Sequence, residues 1–193
     1  ALKKGKQVVV LVPEIALTGQ IVRRFLRRFG DDVVVMHSQL SQGEKRNNWL
    51  RMQNGTSHIC IGARSAVFAA AQSIGLFIVD EAHDSSYKQD EAPRYHAVAV
   101  ARQRAAYYGC PVVLGSATPA LADYYRALQG EYVLVELKER VGHRPLPAVQ
   151  VVDMRDELAR GNYRVVSDAL LTLLEETLAA RQQAIILLNR RGF

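Results

Sequence analysis

Residues Ile74–Ala97 read IGLFIVDEAHDSSYKQDEAPRYHA, and this stretch decides the fold. Ile74–Val79 is a continuous apolar run of strand length, with Asp80 and Glu81 at its carboxyl end. In open α/β sheets, ligands gather outside those strand ends. Asp80 there can bind the Mg²⁺ carried on a nucleotide's β- and γ-phosphates. Glu81 can align and polarise an attacking water. Two surface acids closing a buried strand would look the same, so the pair needs support from elsewhere in the chain.

That support lies downstream, in PVVLGSATPAL (Pro111–Leu121), a second apolar strand followed by hydroxyls. Ser116 and Thr118 are expected on a neighbouring strand end, facing the same crevice as Asp80 and Glu81. Hydroxyls so placed can sense phosphate state. Thr118-Pro119 also opens a helix, since proline suits a first helical turn.

Further strands are predicted at Val8–Val12, Val33–Met36, His58–Ile61, Tyr132–Glu136, Val149–Val152 and Ala184–Leu188. Helical periodicity marks Ile15–Phe29, Gly43–Gln53, His96–Tyr108, Ala120–Leu128 and Asp168–Arg181, with Ser41 and Ser167 as N-caps. Strands alternating with helices imply βαβ units and a parallel sheet. The fold expected is an α/β, RecA-like domain of the P-loop NTPase type with a mostly parallel sheet, lacking its Walker A segment. The segment Lys138–Ala148, with its prolines, glycine and basic residues, reads as a connector. Residues 1–148 would form the first lobe, and 149–193 the connector and first strand of a second.

The 193 residues carry a formal charge of +6 and are 49% hydrophobic and 23% charged, as in a globular protein with a core. A pI near 9.5 favours a polyanionic partner. Two cysteines, Cys60 and Cys110, lie in or beside apolar strands without C-x-x-C spacing and read as reduced, buried thiols. No apolar run reaches the ~18 residues of a membrane span. A reducing cytoplasm fits.

Candidate nucleic-acid contacts follow the strand ends. In VPEIALTGQ (Val12–Gln20), the Thr18 hydroxyl and a helix start suit a phosphate, though Pro13-Glu14 opening a helix explains the same residues. Ser38 ends the second strand. Arg64 and Ser65, in IGARSAVF (Ile61–Phe68), combine a guanidinium with backbone exposed at Gly62. The loop Asp84–Tyr95 brings Tyr87, Lys88, Arg94 and Tyr95 close to the paired acids. Aromatic rings among cations suit single-stranded nucleic acid, and a loop there can couple binding to hydrolysis. The arginines of IVRRFLRRF (Ile21–Phe29) read as a solvated helix face, His37 as structural, and Trp49 as a core anchor.

Taken together, LVPEIALT, MHSQLS, IGARSAVF, DEAHDSSYKQ…APRYHA, LGSATPAL and LLNRRGF resemble the first motor lobe of PriA-type replication-restart helicases (primosomal protein N′), in superfamily 2. The resemblance covers nearly the whole chain, and SSYKQ…PRYH and LNRRGF are more specific than DEAH. It implies a bacterial, ATP- and Mg²⁺-dependent 3′-to-5′ DNA helicase in replication-fork restart and primosome assembly. Implied partners are single-stranded and forked DNA, primosome proteins and single-stranded-DNA-binding protein, in a nucleoid-associated cytoplasmic setting with no membrane. It makes Asp80 and Glu81 catalytic, with Asp80 the Mg²⁺ residue, and makes His83, Ser116 and Thr118 coupling residues.

Departures from that pattern exist. No G-x-x-x-x-G-K-[ST] loop occurs in these residues. The cysteine-rich zinc module of the family is not here either, so zinc is expected only outside this sequence. Val98 and Ala99 follow RYHA where an Arg-Asp pair is usual. With Ala1 in place of methionine and NRRGF directly after a strand, the chain reads as a piece of a larger motor, inactive alone. Two other readings fit less of the sequence: an inactive DNA- or partner-binding module, and a different superfamily 2 motor.

Overall fold

The computed structural model describes residues 1–14, 17, 19–139 and 146–188. They form two compact units, Ala1–Val135 and Glu136–Phe193.

The first unit is built on strand β1 (Gln7–Leu11), all of whose residues are buried. Around it lie β2 (Val33–Met36), β3 (Ile59–Gly62), β4 (Ile74–Val79) and β5 (Val112–Leu114), in the order β2-β3-β1-β4-β5. Every pairing is parallel, so the expected parallel α/β sheet is formed. β2 and β5 are its edges, and Val113 of β5 is half exposed.

Side chains alternate across the sheet, as strand geometry requires. Val9 and Leu11 join Val34, Cys60, Phe77 and Val79 on one face. Helix α3 (Ala97–Tyr108) packs there through Ala97, Val98, Ala101 and Ala105, small residues that let it approach closely. Val8, Val10 and Val12 join Val33, Ile59 and Ile61 on the other face, against Ile21, Phe25 and Phe29 of α1 (Gly19–Phe29). Complete burial of each such side chain contributes ~1.5–3 kcal/mol. The α1 arginines are exposed, which agrees with a solvated face. Cys60 is a buried thiol and Cys110 a partly buried one, neither in a disulfide.

Helix α2 (Gln42–Gln53) starts at a full capping box, Ser41 with Glu44. Those hydrogen bonds hold the Glu44 carboxyl below its usual range. Only Met52 of α2 is buried. Trp49, expected in the core, is instead 41% exposed. Asn48 donates to the Val35 carbonyl, so the inward face of α2 runs through Asn48 and Met52, and Trp49 is turned about 100° away.

After β5 comes α4 (Leu121–Leu128). Tyr132–Glu136, Val149–Val152 and Ala184–Leu188 were expected as strands and are not. A strand is stable only with a partner, and these runs pair with none among the described residues. Val133, Val135, Val151 and Leu187 are accordingly exposed.

The second unit contains α5 (Met154–Ala159), which periodicity did not reveal, and α6 (Asp168–Ala179), with Ser167 as N-cap. Its buried centre is Glu157, which accepts the Asp168 N–H at 2.7 Å and the Asn162 amide at 2.8 Å. These bonds hold its carboxyl below the usual range, the Asp168 N–H first.

Candidate nucleotide crevice and nucleic-acid cavity

The strand order creates one special place. From β1 the chain crosses toward β2, and from its neighbour β4 it crosses the other way, toward β5. Between the carboxyl ends of β1 and β4 lies the topological switch point, where open α/β sheets bind ligands. Asp80 stands there, its N–H bonded to the Leu11 carbonyl at 2.9 Å.

Asp80 is exposed and makes no ion pair among the described residues. Its Oδ1 accepts the Glu81 N–H at 3.1 Å. Glu81 adopts a left-handed backbone, φ 45°, which costs a non-glycine residue ~1–3 kcal/mol and recurs at functional turns. The turn is tied to the next strand, because Gly115 N–H donates to the Val79 carbonyl and Ala82 N–H to the Gly115 carbonyl. That pairing brings the two polar segments together. His83 Nδ1 lies 2.7 Å from Ser116 Oγ and 3.6 Å from Glu81 Oε2. Ser116 Oγ also accepts the Thr118 N–H at 3.0 Å. All five residues expected at this crevice are therefore contiguous. An uncompensated carboxylate with free lone pairs suits a hard divalent cation.

A second feature adjoins the first, a cavity of about 390 Å³ lined by Ser38, Arg64, Ser65, Lys88, Tyr95 and Glu14. Five of the predicted nucleic-acid residues meet there. Three of them are engaged otherwise than expected. Ser38 Oγ donates to the Glu14 carboxylate at 2.6 Å. Arg64 Nη1 donates to the carbonyls of Ser86 at 3.1 Å and Lys88 at 2.6 Å, and its guanidinium lies 5.9 Å from the Tyr95 ring centre. Tyr95 packs edge-on against Phe68, at 5.0 Å between ring centres. Gly62, whose backbone was expected to be exposed, is buried against Met36 and Ala66.

Tyr87 needs a clear correction. Its ring is fully buried, so it offers no face to a base. Its hydroxyl donates to the Asp80 carbonyl at 2.6 Å. Burial, then the charges of Asp80, Asp84 and Glu81, push the phenol above its ordinary range, so it remains a donor. Aromatic spacing alone could not separate an outward ring from an inward one. Arg94 is exposed at the loop tip, donating to the Asp90 carbonyl at 3.0 Å. Lys88 is exposed too. Thr18 lies outside the described residues.

Sequence reasoning missed Arg104. From α3 it donates to the carbonyls of Val67 and Ala69, fixing the segment that carries Arg64. Nothing in the sequence distinguishes it from other helix-surface arginines.

Comparison with known proteins adds the family. The replication restart protein PriA of Bacillus subtilis is 54% identical over 192 residues, covering 100% of this chain and 24% of that protein. PriA of Synechocystis is 50% identical over 198 residues, with 99% and 24% covered. PriA of Treponema pallidum is 43% identical over 192 residues, with 100% and 28% covered. The chain thus spans about a quarter of the length of these curated relatives. Among solved structures, the Pyrococcus furiosus Hef helicase domain overlaps 65% of this chain and 25% of its own, at 14% identity and a TM-score of 0.41. The DEAD/DEAH box helicase profile matches residues 1–127, and with the parallel sheet and its switch-point acids this makes the chain a RecA-like member of the DEAD/DEAH box helicase family.

Proposed function

We propose that this chain is part of the first motor lobe of an ATP- and Mg²⁺-dependent DNA helicase that acts in replication restart. Residues 1–148 would belong to that lobe and 149–193 to the connector and first strand of a second. The observation that carries the reading is the contact of His83 with both Ser116 and Glu81 at the switch point. It would join the acid proposed to orient water to the hydroxyls proposed to respond when phosphate leaves.

Asp80 would hold the Mg²⁺ of the nucleotide, whose charge neutralises that developing on the phosphates. Glu81 would orient the attacking water and take its proton. His83, Ser116 and Thr118 would relay the state of the site to the strand ends around the cavity. DNA, single-stranded or forked, would lie across that cavity, contacted by Ser65, Lys88 and Arg94, with Ser38, Arg64 and Tyr95 close by. The 3′-to-5′ direction, primosome proteins and single-stranded-DNA-binding protein as partners, nucleoid association and a zinc module elsewhere in the protein come from the likeness to PriA. No phosphate-cradling G-x-x-x-x-G-K-[ST] loop occurs in these 193 residues, so the chain alone is proposed not to turn over ATP.

The test uses the full-length protein. Glu81→Gln keeps shape but removes the base, and should lower DNA-stimulated ATPase by ~10²-fold or more while nucleotide binding persists. Turnover within about threefold of wild type, far inside the usual effect of an acid–base group, would move the catalytic role to another residue.

A further inference from the structure

One peptide unit of the crevice is tied to the loop that borders the cavity through Ser85, Ser86 and Lys88. It is the unit joining Asp80 to Glu81. Its N–H is held by Asp80 Oδ1 at 3.1 Å, and its carbonyl by the Tyr87 hydroxyl at 2.6 Å. Turning this peptide rotates the backbone bonds on either side, and so re-aims both carboxylates. Glu81 already sits in the strained left-handed region, so its present orientation depends on such restraints.

Tyr87 is in turn fixed by its neighbours. Asp84 Oδ1 accepts the Ser86 N–H at 2.7 Å, closing the short helical turn Ser85–Tyr87. Arg64 donates to the carbonyls just before and just after Tyr87. Arg64 also lines the cavity, with its guanidinium near the Tyr95 ring. A phosphate entering the cavity competes with two carbonyls for the same donors, and as a charged acceptor it makes the stronger bond.

We propose that Tyr87 and Arg64 are positioning residues forming a latch: Arg64 clamps the loop around Tyr87, and the Tyr87 hydroxyl sets the Asp80–Glu81 peptide. A backbone phosphate of single-stranded nucleic acid draws Arg64 away and releases it. This rests on the reading of Asp80 and Glu81 as the nucleotide acids, and assigns Tyr87 no contact with the nucleic acid. The coupling is thus carried by a buried hydroxyl rather than by stacked rings.

The test is Tyr87→Phe in the full-length protein, which removes one oxygen and keeps the buried ring. DNA affinity is read by anisotropy with a labelled single-stranded oligonucleotide at fixed salt, and ATPase is measured against ATP concentration with and without that DNA. The expected result is a fall of at least about fivefold in the ratio of kcat with DNA to kcat without it, the lower end of ordinary coupling between sites. DNA affinity and the KM for ATP should be unchanged, and the melting temperature should fall only slightly, as for the loss of one hydrogen bond. Arg64→Met, which removes both hydrogen bonds from Nη1 and keeps an unbranched side chain, should lower the same ratio. An intact ratio in Tyr87→Phe overturns the latch, as does a parallel loss of DNA affinity, which would make Tyr87 a contact. Glu81→Gln run alongside separates the two readings. If that variant still hydrolyses ATP, the assignment of the acids fails and the latch with it; if it is inactive while Tyr87→Phe keeps its stimulation, only the latch fails.

Discussion

Gly62 shows how far a single residue constrains the sheet. A Cβ there would fall inside the Met36 carbonyl oxygen and within 2.7 Å of the Ala66 Cβ. Neither neighbour can yield easily, since one is strand backbone and the other is fully buried. Gly62→Ala should therefore destabilise the chain by ~2–3 kcal/mol, the upper part of the range for overpacking. Urea denaturation measures it, and a change below about 0.5 kcal/mol, typical of open surface sites, would mean that β2 shifts aside. At this scale the sequence was partly legible. The place of Asp80 and Glu81 at a strand end was readable because the apolar run Ile74–Val79 stops just before them, although two acids closing a buried strand would look the same. Tyr87 was misread because the side chain's direction depends on the turn at Asp84–Ser86, which no spacing rule reveals.

At the scale of elements, Gln7 ties four together. Its amide nitrogen donates to the carbonyls of Met52 and Ser57 at 2.7 and 3.0 Å, and its oxygen accepts the N–H groups of Gln72 and Ser73 at 2.9 and 3.4 Å. It thereby joins the start of β1 to the end of α2 and the approaches to β3 and β4. Gln7→Met keeps the volume but removes the buried bonds to the Met52 and Ser57 carbonyls, at ~1–3 kcal/mol for each acceptor left unsatisfied. A loss of about 3 kcal/mol in unfolding free energy is expected, and one under ~1 kcal/mol would mean that water takes the place of the amide. The five strands of the sheet were legible because buried parallel strands are unbroken runs of Val, Ile and Leu. Tyr132–Glu136 and Ala184–Leu188 have the same composition and are not strands. Composition registers the preference of a strand, whereas its existence depends on a partner elsewhere. α5 escaped notice because it spans Met154–Ala159 only, under two turns, too short for periodicity to register.

For the molecule as a whole, the boundary between compact units falls at Val135 and Glu136, ahead of the proline-bearing connector expected from composition. Its first unit holds the crevice and the cavity, and their adjacency was implied by the order of motifs along β1, β3, β4 and β5. The route between them was not legible, because it runs through backbone carbonyls that any sequence would supply. The sheet also has a colloidal consequence. Among the described residues β5 is hydrogen-bonded on one side only, with Val113 half exposed, and so presents a ready template for another strand. Copies of this 193-residue chain in solution should therefore stick edge to edge, with sedimentation that rises with protein concentration and turbidity on warming. Val113→Lys places a charge on that rim and should raise the solubility limit without changing the fold. Sedimentation velocity across a concentration series reads this directly. A single monomeric species throughout would mean that the rim is already protected, and that an open edge is not enough to draw copies of this protein together.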